Sequence, residues 1–320
     1  MTNEVRVPKI SLLHASYKSL NQSRKVRDYW LDTAHNPHNV EHCLGFENQD
    51  ILVRKDYDLD NSDFGVSPDL LTKFKTTPEL TSPSAVRNWN AAASISSGQI
   101  LLGIADDLIP ERNWDLKLWD LVAPKINDLA LWKLSDHRCF MRQEALGSDI
   151  LPRHPVMTRK TYDSYGFYFD PKYVSIGPDD EWMLEALNRG IFFDGRAVKL
   201  HHSIGPIFDA NSKILCGCFG AEARSVRTES QNRMHQQSWK IQAEENLRRW
   251  GIELRVIRRI KMSGEIADEI FNYSTKNYDE NRISIFQYLV LKSKLKVSFK
   301  IILIVKLIRE VFNYFLGLCT

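Results

Sequence analysis

Residues 89–107 read WNAAASISSGQILLGIADD, and the hydrophobic period changes in the middle of the run. Ser82 can cap a helix, Pro83 suits its first turn and Gly98 can end it, which predicts a helix over Ser82–Gly98. Gln99–Ala105, QILLGIA, is then a continuous apolar run of strand length. It leads straight into Asp106 and Asp107. A buried strand that ends on two acids belongs to a sheet whose ligands sit at the carboxyl ends of its strands.

The flanking sequence repeats this alternation. Ile10–Ala15 (ISLLHA) reads as a buried strand, Lys18–Ala34 as a helix and Val40–Phe46 as a second strand. Asn48–Thr81 is rich in Asp, Asn, Pro, Ser and Thr and reads as loop, with one helical turn at Pro68–Phe74. Trp114–Val122 is a helix and Leu129–Leu134 a strand. Asp179–Arg189 is a helix between Pro178 and Gly190, and Ile191–His201 a further strand. Glu222–Trp250 has a long, polar helical pattern whose many charges read as a solvated face. Strands alternating with helices predict an α/β fold with a mostly parallel sheet flanked by helices. No internal repeat is visible.

The totals narrow the function classes. The 320 residues suit one large domain with an appendage. A net charge of +3 is too small to argue for nucleic acid. The five cysteines show no zinc spacing. Their odd number, with no apolar secretory core in the opening MTNEVRVPKI, predicts a reducing, cytoplasmic location. From Ile283 the composition turns apolar with lysines threaded through it: Lys292, Lys294, Lys296, Lys300 and Lys306. Those lysines break every run before it reaches the roughly 20 residues of a membrane span. A basic amphipathic segment in peripheral contact with a membrane surface fits. So does a helical hairpin packed on the domain or on a second copy. The expected boundaries are a catalytic domain over 1–275 and a helical tail over 276–320.

Three groups of residues could carry chemistry. Asp106 and Asp107 repel each other at the end of a buried strand, a penalty that a divalent cation removes; a turn rich in Asp is the alternative. Asp179, Asp180 and Glu181 open a helix, where acids cap and complement the dipole. One is expected to cap, and the excess leaves room for a general base. His201 and His202 follow the last clear strand. Neutral imidazole suits Mn²⁺, although histidines are more often packed or surface residues. His154, Arg159, Tyr162, Tyr165 and Tyr168 form a polar, aromatic stretch that reads equally as a saccharide acceptor site or as packing.

In order along the chain, ISLLHASYK at 10–18, AVRNWNAAASISSGQILLGIADDLIP at 85–110, WD at 114–115, HPVMTRKTYDSYGF at 154–167, GPDDEW at 177–182 and LHHS at 200–203 resemble glycosyltransferase family 2, the GT-A nucleotide-diphospho-sugar transferases. The helix-to-strand run over 89–107 is the most specific part and LHHS the weakest. The resemblance implies a GT-A (Rossmann-like) fold and an inverting, metal-assisted transfer. The donor would be a nucleotide-diphospho-sugar, with UDP favoured, and the acceptor a saccharide or lipid-linked saccharide. It places Ala15, Ser16 and Tyr17 at the nucleobase, with Glu47 at the base's imide, where the family more often has Asp. It places Arg87 and Asn90 on the helix flanking the donor, and Asp106 on the ribose or metal. Asp107 would hold Mn²⁺ or Mg²⁺, Asp180 would be the catalytic base, and His201 or His202 would supply a late metal ligand. Leu108 stands where many members carry a third acid, so a metal would have fewer protein ligands here.

Two other readings remain. Nucleotidyl transfer to a sugar phosphate favours a Gly-rich phosphate loop, and HASYKSLNQSRK has no glycine. A catalytically silent nucleotide-sugar-binding or membrane-scaffold protein has no need of Asp106, Asp107 and Asp180 together.

Overall fold

The computed structural model describes residues 9–18, 22–67, 72–78, 83–138, 150–175, 177–202, 207–208 and 214–216. The polar helix expected over 222–250 and the apolar, basic tail lie outside the described residues. Among the described residues no helix is long and apolar enough to cross a membrane.

The first half runs β1 (Ile10–Ala15), α1 (Gln22–Asp32), β2 (Val40–Glu47), α2 (Ile51–Asp56), β3 (Phe64–Val66), β4 (Lys73–Thr77), α3 (Ala85–Ser94), β5 (Ile100–Ala105), β6 (Leu108–Pro110) and α4 (Trp114–Val122). The second half continues with β7 (Leu131–Arg138), β8 (Val156–Thr158), α5 (Arg159–Tyr165), α6 (Pro178–Arg189), β9 (Phe192–His202) and a short pair, β10 (Ile207–Phe208) and β11 (Ile214–Cys216). Nine strands form one sheet in the order β3-β4-β2-β1-β5-β8-β7-β9-β6. The pairs β2·β4, β1·β2, β1·β5 and β7·β9 are parallel. β8 is antiparallel to both β5 and β7, so β5 and β7 point the same way. The expected mostly parallel sheet is therefore present, with β3, β8 and β6 reversed.

Alternation along the strands builds a core on each face. Leu13, Leu101, Leu131 and Met157 pack with Val86, Ala92 and Ala93 of α3 and Met183, Leu184 and Leu187 of α6. Leu12, Leu102, Trp132 and Val156 pack on the other face with Val26 and Trp30 of α1 and Trp114 and Leu118 of α4. Fully burying one such side chain contributes roughly 1.5–3 kcal/mol. The two-sided burial explains why β5 reads as an unbroken apolar run and β1 as a mostly apolar one.

Four local expectations are corrected. α3 begins at Ala85, capped by the Ser84 hydroxyl, which accepts from Arg87 N at 3.1 Å. It ends at Ser94, and Gly98 plays a different part: its N–H donates to Ser11 Oγ at 2.8 Å, and a Cβ there would lie 2.5 Å from that oxygen. The segment expected as loop holds α2, β3 and β4. In β4, KFKTT, Phe74 is buried while Lys73 and Lys75 reach Glu41 and Ser94, a two-residue period that the surrounding polar residues obscured. The chain at Phe74 is strand, not the end of a helical turn. Finally, none of the three acids opening α6 is its cap, because the N-cap residue is Gly177 at φ 103°, followed by Pro178.

Candidate active site

β1 is central to the site. Its last residue, Ala15, pairs with Gly45 of β2 on one side and Ala105 of β5 on the other. The next residues along the three strands, Phe46, Ser16 and Asp106, therefore emerge side by side, with Glu47 and Asp107 one step further. Ala15, Ser16, Tyr17, Glu47, Asp106 and Asp107, named separately from sequence, lie along one edge of the sheet.

Asp106 is 1% exposed. Burying an unpaired carboxylate costs several kcal/mol, so it needs partners. His14 Nε2 lies 3.0 Å from Oδ1, the Ser16 hydroxyl donates to Oδ2 at 3.3 Å, and Gln22 Nε2 donates to the Asp106 carbonyl at 3.1 Å. Asp107 is half-buried in the two-residue turn that carries the chain from β5 to β6. The turn expected for an Asp pair is thus real, and it sits at the carboxyl end of the sheet.

Glu47 is buried at the N-terminus of α3, where an acid complements the helix dipole. Its Oε1 accepts from Ser84 N at 3.2 Å and lies 3.5 Å from Arg87 Nη2. Burial pulls the Arg87 guanidinium down from its usual range and Glu47 pushes it back up. α3 lies tightly on β2: a Cβ on Gly45 would come 1.9 Å from the Asn88 carbonyl oxygen. Asn88, which sequence reasoning passed over, donates to Ser16 O at 3.2 Å and accepts from Thr77 Oγ1 at 2.7 Å. Asp50 ties the two strand-end loops together: it accepts from Lys18 N at 2.6 Å and caps α2 through Val53 N at 3.2 Å. Burial pushes the Asp50 carboxyl up, and Asp106 adds to that.

Asn90 bridges to the second half. Its Oδ1 accepts from Tyr168 N and Phe169 N at 3.0 and 2.9 Å, and its Nδ2 donates to Phe169 O at 2.7 Å. Trp89 Nε1 donates to Ile104 O at 2.9 Å, two residues before Asp106. Trp182 Nε1 in α6 donates to Tyr168 O at 2.6 Å, two residues after Asp180. These bonds connect the end of β5, through α3 and the 168–169 segment, to the first turns of α6. Asp180 there is 1% exposed. Its neighbour Glu181 is held by Tyr173 Oη at 3.1 Å and Lys172 Nζ at 3.6 Å.

The two histidines separate in register. His202 pairs with Leu108, the residue after Asp107, and His201 with Ile109. The His201 Nε2 lies 3.9 Å from Glu111 Oε1. Among the described residues no three His, Cys, Asp or Glu side chains cluster as a metal site.

The aromatic stretch divides as well. Tyr168 is wholly buried: its hydroxyl donates to Pro155 O at 2.5 Å and accepts from Gly103 N at 2.8 Å, so it packs between β5 and β8. Tyr165, Phe167 and Trp182 instead line a groove of about 350 Å³ with Asp170, Glu181 and Glu185. A second polar cluster lies on β7, where Lys133 and Arg153 both bind Asp136. Burial pushes the Asp136 carboxyl up, but the two cations more than offset it and hold it at about 2.

No protein-family model matches the chain, and no curated protein matches it. Among solved structures it is similar to S. aureus TarS residues 1–349 in complex with UDP, at 10% identity over 86% of this chain and 73% of that one, with a TM-score of 0.45. For TarS 1–349 in complex with UDP-GlcNAc the identity is 10%, the coverage 84% and 72%, and the TM-score 0.46. Against a longer TarS structure the identity is 13% and the chain spans 45% of that protein's length. The fold described above rests on its own sheet order and register, not on this likeness.

Proposed function

We propose that the chain is an inverting glycosyltransferase that moves a sugar from a nucleotide-diphospho-sugar to an acceptor hydroxyl. The observation that carries the reading is the alignment of the β1, β2 and β5 ends, which sets Ser16, Glu47 and the buried Asp106 along one rim. A nucleoside fits such a rim because its polar groups are spread along one edge. Glu47 would accept from the imide N–H of the base, with Ser16 and Tyr17 beside the ring, and Asp106 Oδ2 would accept from a ribose hydroxyl. Arg87 and Asn90 would act through what they hold, Glu47 and the 168–169 segment.

Asp107 and His202 would hold a divalent cation as a partial shell. Asp107 is half-buried at the strand end, and His202 is in register with the residue after it. One carboxylate and one imidazole suit Mn²⁺ or Mg²⁺ when donor oxygens and water complete the shell. When bound there, the ion would neutralise charge on the leaving diphosphate. Asp180 would accept the proton of the acceptor hydroxyl. The oxygen would bond to the anomeric carbon as the bond to the diphosphate breaks, and the electron pair would leave with the diphosphate. The groove walled by Tyr165, Phe167 and Trp182 adjoins the helix that carries Asp180 and suits a saccharide acceptor.

The test is incubation with a panel of nucleotide sugars and Mn²⁺, beginning with UDP-GlcNAc because TarS crystals hold it. An enzyme releases nucleoside diphosphate by slow donor hydrolysis and is stabilised by ~2.7 kcal/mol at a hundredfold excess over the dissociation constant. Stabilisation without release would mean a silent binding protein, and neither effect with any donor would overturn the proposal.

A further inference from the structure

Beneath Asp106 runs a line of polar groups that the proposed chemistry leaves unused. His14 Nε2 is 3.0 Å from Asp106 Oδ1, His14 Nδ1 is 3.0 Å from His42 Nε2, and His42 Nδ1 is 3.1 Å from Thr72 Oγ1. None of the four residues is more than 3% exposed. The line crosses the sheet diagonally. Thr72 precedes β4, level with His42 on β2; His14 on β1 lies two residues further along, and Asp106 two further again beyond β5. Each two-residue step keeps the side chains on one face. On the far side the Tyr57 ring stacks on His42, with centroids 5.9 Å apart and planes at 9°, and its hydroxyl is 3.0 Å from Ser23 Oγ.

We propose that His14 and His42 are positioning residues that, with Thr72, form a hydrogen-bond chain fixing the Asp106 carboxylate for the donor. The inference rests on the reading of Asp106 as a donor-holding acid. All four ring nitrogens have partners, which constrains the protons. Asp106 accepts, so His14 Nε2 donates. Burial, reinforced by His14 and Arg27, holds His42 well below the usual imidazole range, so that ring carries one proton. His42 therefore donates through one ring nitrogen and accepts through the other, so its bonds to His14 and to Thr72 run in the same sense. In a chain of this kind each bond polarises the next. Packing alone does not call for such a chain, because apolar residues of similar shape replace buried polar networks at little or no loss of stability. What apolar residues cannot do is hold Oδ1 and leave Oδ2 on the Ser16 side at the strand end.

Two measurements on the full chain test this. In calorimetric titrations with UDP and Mn²⁺, His14→Leu should weaken binding about tenfold, the equivalent of one hydrogen bond to a charged group. His14→Gln, whose amide can still donate to Asp106, should restore it to within about threefold. In ¹⁵N NMR of the imidazoles, Thr72→Val should shift the His14 signals although it does not touch that ring. Equal UDP affinity in the wild type and His14→Leu, or a His14 signal indifferent to Thr72→Val, overturns the chain while the donor-site reading stands. If Asp106→Asn also binds UDP as tightly as the wild type, the reading of Asp106 fails and takes the inference with it.

Discussion

The two halves of the sheet handle polar groups in opposite ways. In the half built on β1, β2 and β5, polar side chains connect one strand end to the next: His14 to Asp106, Asn88 to Ser16, Asp50 to Lys18 and Glu47 to the start of α3. In the half built on β7 and β9, the polar groups close on themselves, as in Lys133–Asp136–Arg153 and Tyr173–Glu181–Lys172. The first arrangement fixes an edge against which a rigid ligand can be read. The second stabilises its own segment and presents Asp180 on the first turn of a helix. The lesson is that donor recognition and acceptor activation should fail separately.

On the proposed function, the two halves differ most sharply at Asp180. Asp180→Asn should lower kcat ~10²–10⁴-fold, the usual effect of removing a general base, while UDP affinity stays unchanged. Steady-state kinetics with titration calorimetry on one preparation separates the two. A loss of UDP affinity would mean that Asp180 also serves the donor side, and a larger loss in Asp179→Asn would move the base by one residue.

Asp136→Asn should act on stability alone. It leaves the buried Lys133 facing a neutral amide, which costs roughly 3–5 kcal/mol. The pH dependence has a definite sign. A carboxyl whose folded pKa is depressed from 3.8 to about 2 adds stability that is complete above about pH 4 and is lost as pH falls toward 2. That contribution is about 2 kcal/mol. Urea unfolding between pH 2 and 6 should show a shallower acid slope in the variant. Parallel slopes would place the acid sensitivity elsewhere.

The smallest of these effects should follow Gly45→Ala. The added Cβ meets the backbone of α3, so the helix must move, at roughly 1–3 kcal/mol. Because Asn88 on that turn holds Ser16, the variant should weaken UDP binding more than it slows turnover of bound donor. The opposite pattern would mean that α3 supports the acceptor side.

The same contrast explains what the sequence made legible. β1, β2 and β5 are buried on both faces and mostly apolar, so these strands and the acids at their ends could be read directly. β6 and β8 have three residues each and no period to detect. Their partners are set by register with β9 and β7, which only the folded chain supplies. β4 was hidden by its lysines, and Ser84 lost the role of cap to Ser82 because two serines flank one proline. The line beneath Asp106 did leave a signal: His14 inside ISLLHA is a polar residue in a buried strand, which requires a partner. Its partner His42 lies on the neighbouring strand β2, 28 residues along the chain, and no local pattern connects them.

On the proposed function, the strand-end rim, and Asp106 within it, holds the nucleotide donor. Titration of UDP in the presence of Mn²⁺ into the wild type, Asp106→Asn and Asp180→Asn tests it most directly. The wild type and Asp180→Asn should bind alike, and Asp106→Asn should bind at least about tenfold more weakly. Equal affinity in a folded Asp106→Asn protein would contradict it.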